Sequence, residues 1–191
     1  MESWQRFAQG GNAMRRLLVV GFGTMAFSMN EVLLEPYGGQ ILNMSVSETT
    51  MLTAILAVGG LIGFSWASRV LSKGTDPFYM AAIGALIGIP AFTFIVLSAP
   101  FALKTLFLLG TFLIGFGGGL FSHGTLTATM QLAPANQRGL ALGAWGAVQA
   151  TAAGVAIGLG GVIRDIVVAI GASNWLPDGL IVPTTGYSFV Y

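Results

Sequence analysis

Residues 105–130 read TLFLLGTFLIGFGGGLFSHGTLTATM, with no aspartate, glutamate, lysine or arginine among them. As a helix at 1.5 Å per residue such a run is ~39 Å long, more than the ~30 Å hydrocarbon core of a bilayer. The rest of the chain reads the same way. Of its 191 residues, 54% are hydrophobic and 8% charged, and mean hydropathy is +0.80. A soluble domain carries about a quarter of charged residues to cover its surface, so a water-soluble globule is excluded. The 28 glycines suit close helix approach in lipid, and continuous rather than alternating apolar runs argue against a strand barrel. Without cysteine there is no disulfide framework or thiolate metal site, and a net charge of +1 offers no surface for nucleic acid.

Working outward from that run gives an all-α integral membrane protein, a single transmembrane domain over residues 1–191. Five spans are expected at about 17–34, 49–66, 78–97, 105–130 and 140–163. The first is expected to stop where Glu35-Pro36-Tyr37-Gly38-Gly39 breaks a helix, and the second to start after Ser47 as N-cap with Glu48 in its first turn. Residues 164–179 read as an interfacial stretch too short to cross. Residues 180–191 read as the start of a truncated sixth helix, with Tyr187, Phe189 and Tyr191 at headgroup level. The leading segment, with Trp4 and Phe7 among polar residues, is expected at the interface and is not expected to be a signal peptide, since no cleavage pattern follows the first span. A cytoplasmic N-terminus places Arg6, Arg15, Arg16, Arg69, Lys73 and Arg138 inside and only Lys104 and Arg164 outside, the usual positive-inside bias.

An internal repeat runs through the chain. Gly21-Phe22-Gly23-Thr24-Met25-Ala26-Phe27-Ser28-Met29 in span one matches Gly115-Phe116-Gly117-Gly118-Gly119-Leu120-Phe121-Ser122-His123 in span four. Val58-Gly59-Gly60-Leu61-Ile62 in span two echoes Leu159-Gly160-Gly161-Val162-Ile163 in span five. Helices three apart run in opposite directions, so the two triplets would form an inverted-topology repeat.

Few residues can carry chemistry. His123, the only histidine, follows Gly117, Gly118 and Gly119 in an apolar helix. A neutral imidazole can ligate a metal, including the magnesium of a chlorin ring, and bare glycines let a flat macrocycle near the backbone. The other reading is an interhelical hydrogen bond beside a close helix contact. Glu31, an acid deep in span one, could couple protons, give an oxygen to a pigment magnesium, clamp the first loop, or bond to a neighbouring helix, whereas Glu35 near the span end suits a local cap. Gly59 with Gly63, Gly84 with Gly88, Gly115 with Gly119 and Gly154 with Gly158 are G-x-x-x-G pairs whose ordinary meaning is helix packing. A lone histidine cannot build a nucleophile triad, so an enzyme is not expected.

Three strings go further: Asn30-Glu31-Val32-Leu33-Leu34-Glu35-Pro36-Tyr37-Gly38-Gly39-Gln40, then Phe121-Ser122-His123-Gly124-Thr125-Leu126-Thr127-Ala128-Thr129-Met130, then the continuous run from Gly139 through Trp145 and Gln149 to Gly154. The sequence closely resembles the bacteriochlorophyll-delivery family of major-facilitator proteins, the PucC/LhaA type, over what corresponds to its C-terminal half. The resemblance implies half of a major-facilitator-like bundle, five full helices plus a truncated sixth, in the bacterial inner (photosynthetic intracytoplasmic) membrane. It also implies a bacteriochlorophyll-binding assembly or accessory role for light-harvesting complexes. Partners would be antenna polypeptides or a reaction-centre light-harvesting complex, together with lipid. His123 would ligate the magnesium, with Gly117, Gly118, Gly119 and Glu31 around the pigment. The competing expectations are half of a proton-coupled small-solute transporter, which would need a partner half, and a purely structural subunit of a photosynthetic complex.

Overall fold

The computed structural model describes residues 13–172 and 184–191. Its helices are α1 (Ala13–Ser28), α2 (Leu34–Ile41), α3 (Val46–Leu71), α4 (Pro77–Ser98), α5 (Lys104–Leu132), α6 (Arg138–Ala172) and the single turn α7 (Thr185–Ser188). Short 3-10 turns at Glu31–Leu33 and Ala135–Gln137 lead into α2 and α6. Five helical stretches are long and apolar enough to cross a membrane: Ala13–Ile41, Val46–Leu71, Pro77–Ser98, Lys104–Leu132 and Ala135–Ile170. This is a multi-pass, all-helical membrane protein.

The central helix is α5. Helices α3 and α4 lie along two of its sides and barely touch each other, while α1 pairs with α6 and the two meet α5 on a third side. The pairing itself follows the repeat: α3 lies on α5 as α6 lies on α1. Lipid is as apolar as a leucine side chain, so burial alone cannot hold such helices together, and close backbone packing has to. On the α3–α5 seam Gly59 and Gly63 face the carbonyls of Phe112 and Phe116, while Gly115 and Gly119 face those of Leu56 and Gly60. A methyl group at any of the four would fall inside contact distance of a backbone atom of the other helix. Gly110, Gly117 and Gly124, seven apart and so nearly on one face, do the same toward α4.

The first span departs from the sequence expectation. Helix α1 stops at Ser28, six residues early, and the chain re-enters a helix that runs straight through Pro36, Gly38 and Gly39. The stop comes from Asn30, which is buried and turns its amide Nδ2 back onto the Phe27 carbonyl at 3.0 Å, competing with the helix ladder. Pro36 lies in the first turn of α2, where its missing N–H would have had no intrahelical acceptor.

Other boundaries shift for similar reasons. Ser45, not Ser47, caps α3: its Oγ accepts from the Glu48 amide at 3.3 Å, and Glu48 Oε2 accepts from the Ser45 amide at 2.7 Å, a full capping box. Glu48 also pairs with Lys104 at the start of α5, Nζ to Oε1 2.8 Å. At α4 the cap is Asp76, with Pro77 at the first helical position.

The interfacial stretch expected at 164–179 is, in its described part, a continuation of α6 to Ala172; residues 173–179 lie outside the described residues, as do 180–183 of the expected sixth helix. Arg164 is twenty-six residues past Arg138, ~39 Å along the axis and so beyond a 30 Å core. No glycine or proline breaks the run between Ile163 and Ile170, and both charges find partners. Arg164 pairs with Asp165 at 2.9 Å and donates to the Tyr187 hydroxyl at 3.2 Å, which in turn donates to Gln40 Oε1 at 2.6 Å.

Residues 184–191 thereby fold back onto the bundle. Tyr187 and Val190 are buried, and the rings of Tyr187 and Tyr191 meet Tyr37 edge-on, each at 5.4 Å. Tyr37 stacks on Phe107 at 5.2 Å, so α2, α5 and the terminal turn share one aromatic core. Burial there pushes the Tyr191 phenol well above its ordinary pKa.

Candidate functional site

Successive residues of a helix point about 100° apart, and α5 shows the consequence. Gly117 faces α4, where a Cβ would stand 2.8 Å from the Gly84 carbonyl oxygen. Gly119 faces α3, with the Phe64 amide nitrogen 3.0 Å from such a Cβ. Gly118 faces α1 and has room, since its nearest neighbour, the Phe27 ring, is 3.7 Å away. The three glycines expected to bare one flat surface beside His123 therefore lie on three sides of the helix, and two of them are covered by neighbouring backbone.

His123 lies one turn below Gly119 on the α3 side. Its ring meets the edge of Phe64 at 4.1 Å and 77°, and Nδ1 is sealed without a hydrogen-bond partner. The interhelical hydrogen bond that the sequence left open is thus not made among the described residues. With Nδ1 closed off, Nε2 is the nitrogen that an incoming metal could reach. Ligating histidines usually donate their second nitrogen to an acceptor; among the described residues this one finds none.

Glu31 is exposed in the 3-10 turn after α1. Phe27, one turn before it, already packs at the level of Gly117 and Gly118, so Glu31 lies more than ~8 Å along the axis from His123 and shares no site with it. Glu35 does not cap local backbone: its Oε1 accepts from Thr53 Oγ1 at 3.0 Å and ties α2 to α3. No group of three histidine or acidic side chains that could hold a metal ion exists among the described residues.

The sequence reading passed over a cleft of about 340 Å³ between α1, α5 and α6. Its polar lining is Thr24, Ser28, Ser122 and Gln149, and the rings of Phe27 and Phe121, 6.0 Å apart, form its apolar wall. Gln149 Nε2 donates to Ser122 Oγ at 3.2 Å, and one turn away Trp145 Nε1 donates to Thr125 Oγ1 at 3.2 Å, so these bonds tie α6 to α5. The repeat foreshadows the cleft. Thr24 with Gly118, Phe27 with Phe121 and Ser28 with Ser122 are matched positions of the two copies, and all six line it.

A family model described as PUCC protein matches residues 1–191. The chain belongs to the PucC family. Protein PucC of Rhodovulum sulfidophilum is 60% identical over 166 residues, 87% of this chain and 37% of that protein. Protein PucC of Cereibacter sphaeroides is 58% identical over 169 residues, 88% of this chain and 37% of the relative. A Rhodobacter capsulatus protein described as an uncharacterized protein in the puhA-bchM intergenic region is 47% identical over 190 residues, 100% of this chain and 40% of its own length. This PucC-family chain thus spans about two fifths of the length of these relatives. No solved structure gives a significant match.

Proposed function

We propose that the chain takes part in assembling light-harvesting complexes in the inner membrane of photosynthetic bacteria by holding bacteriochlorophyll through His123, as a binding and not a catalytic component. Family membership supports the assembly role. The observation that carries the pigment is the imidazole itself: an ionisable side chain inside a membrane span, without a hydrogen-bond partner among the described residues, with an aromatic ring beside it. The bound pigment would supply a magnesium ion, a Lewis acid that a neutral imidazole can ligate. The chain would supply Nε2 of His123 as its ligand, with Phe64 restraining the imidazole plane and Gly119 allowing α3, and hence Phe64, to come so close. Gly117 and Gly119 are covered by the backbone of α4 and α3, so those two faces of α5 would not be open to a pigment. Antenna polypeptides would meet the apolar outer faces, of which α6 has the most exposed.

Replacing His123 by leucine keeps the helix apolar and removes the nitrogen. Purified from a pigmented host, His123→Leu should lose the bacteriochlorophyll absorption that accompanies the parent, while circular dichroism and elution volume stay unchanged. Equal pigment in both preparations would leave His123 as a packing residue.

A further inference from the structure

We propose that the apolar groove between α1 and α6 seats an acyl chain of one anionic phospholipid, whose phosphate Arg15 and Arg138 hold at the mouth of the groove. The groove has a volume of about 300 Å³. Met14, Leu17, Leu18, Phe22 and Met25 line it from α1, and Val148 of α6 meets α1 at Gly21, where a Cβ would stand 3.4 Å from Val148 Cγ1. All these side chains are apolar. Met14, Leu18 and Phe22 are 55%, 52% and 69% exposed, so a molecule arriving from the lipid reaches them. Met14 to Met25 is eleven residues, ~17 Å along the helix, which is about the hydrocarbon depth of one leaflet and so of one acyl chain.

The mouth is short of anions. Gly21 meets Val148 and Met29 meets Gly160, so α1 and α6 run in the same direction and begin at the same end of the bundle. Arg15 is exposed, three residues before Leu18 and seven before Phe22, on the face of α1 that these two give to the groove. Arg138 is the first residue of α6, ~15 Å before Val148, while Arg15 is ~9 Å before Gly21. The two guanidiniums are thus offset by about one helical turn along the axes, within the span that two long side chains closing on one phosphate can cover. Arg69 belongs to the same end, five residues past Phe64, which meets His123; Arg16 lines a crevice with Thr129, six residues past His123. Among the described residues none of Arg15, Arg16, Arg69, Lys73 and Arg138 has an ion pair or hydrogen bond, and the nearby Asp76 is engaged as the cap of α4. At the other end Lys104 and Arg164 are answered within the chain, by Glu48 and Asp165. A headgroup phosphate with a chain below it meets both needs, the unpaired cations at the mouth and the wholly apolar groove. A net negative headgroup is selected because a zwitterionic one already carries its own cation. The groove is on the α6 side of α1 and His123 on the α3 side of α5, so lipid and pigment hold or fail independently.

The test titrates the full chain in detergent with phosphatidylglycerol and phosphatidylcholine of identical acyl chains, and native mass spectrometry counts lipids per chain. The parent should retain one phosphatidylglycerol, about tenfold or more tighter than phosphatidylcholine. Arg15→Gln and Arg138→Gln should each weaken phosphatidylglycerol about fivefold and leave phosphatidylcholine unchanged. Leu18→Trp, which fills the groove from an exposed position, should weaken both lipids. Arg69→Gln combined with Lys73→Gln removes two charges of the same end away from the groove and should change neither. Circular dichroism checks that each variant folds. Equal retention of the two lipids, or a loss in the Arg69–Lys73 variant as large as in Arg15→Gln combined with Arg138→Gln, overturns the proposal and leaves an unselective basic end beside a groove filled by bulk lipid.

Discussion

Gly115→Ala adds one methyl group to the α3–α5 seam, and the structure states what it meets. The new carbon would stand 2.9 Å from the Leu56 carbonyl carbon, 3.0 Å from the Gly60 amide nitrogen and closer still to the Leu56 carbonyl oxygen. All three are backbone atoms, so no rotamer change relieves the contact, and the two helices must part by ~1 Å to restore the 3.5 to 4.0 Å of ordinary contact. A gap of that size forfeits about a quarter to a half of each dispersion contact along the seam. Overpacking of this kind costs about 1–3 kcal/mol, while alanine returns up to ~1 kcal/mol of helix propensity. Gly143→Ala on α6 isolates the two terms, because nothing lies within 4 Å of its added carbon. The propensity gain is common to both variants, so their difference is the contact term, ~2 kcal/mol or about thirtyfold in the folded-to-unfolded ratio. Reversible unfolding in mixed micelles, followed by far-ultraviolet circular dichroism, measures it. Gly115→Ala as stable as Gly143→Ala would refute the idea that backbone contact at these glycines holds the helices together.

Two further outcomes follow, one from a contact and one from the charge pattern. Tyr187→Phe keeps the ring against Tyr37 but removes the hydroxyl that joins Gln40 and Arg164; amides of residues 185–191 should exchange about tenfold faster, a loss of ~1–2 kcal/mol of local stability. The charge bias predicts Lys104 outside and Arg138 inside, and since the chain has no cysteine, Lys104→Cys should label from the outer face and Arg138→Cys only from the inner. The reverse pattern would invert the topology.

The number and type of helices were legible because hydropathy over ~20 residues is a strong, local signal. Their ends were less so. Pro36 and Gly38-Gly39 look like a helix stop in one dimension, but proline in a first turn loses nothing and Gly38 is needed where Met44, Leu52 and Phe107 crowd in. Asn30, the residue that does interrupt span one, is an ordinary polar position in the sequence until its amide is seen to return to Phe27. Arg164-Asp165 looks like the end of α6 because charges are costly in lipid, yet Tyr187 and Gln40, far away in the chain, receive the arginine.

The site was read from composition where it needed angle. Three consecutive glycines before His123 suggest one smooth surface, yet consecutive helical residues cannot share a face, and the rotation of ~100° per residue was available from the sequence alone. Residues four apart do share one: Gly115, Gly119 and His123 run down the α3 side, and Gly118 and Ser122 down the α1 side. That spacing separates two features on one helix, an imidazole at the α3 seam and a cleft at α1 and α6. The repeat pointed to the second more directly than any polar residue did. Matched positions on antiparallel α1 and α5 come together wherever the helices cross, so the strings containing Phe27-Ser28 and Phe121-Ser122 mark the crossing, and the cleft is what the two copies enclose there.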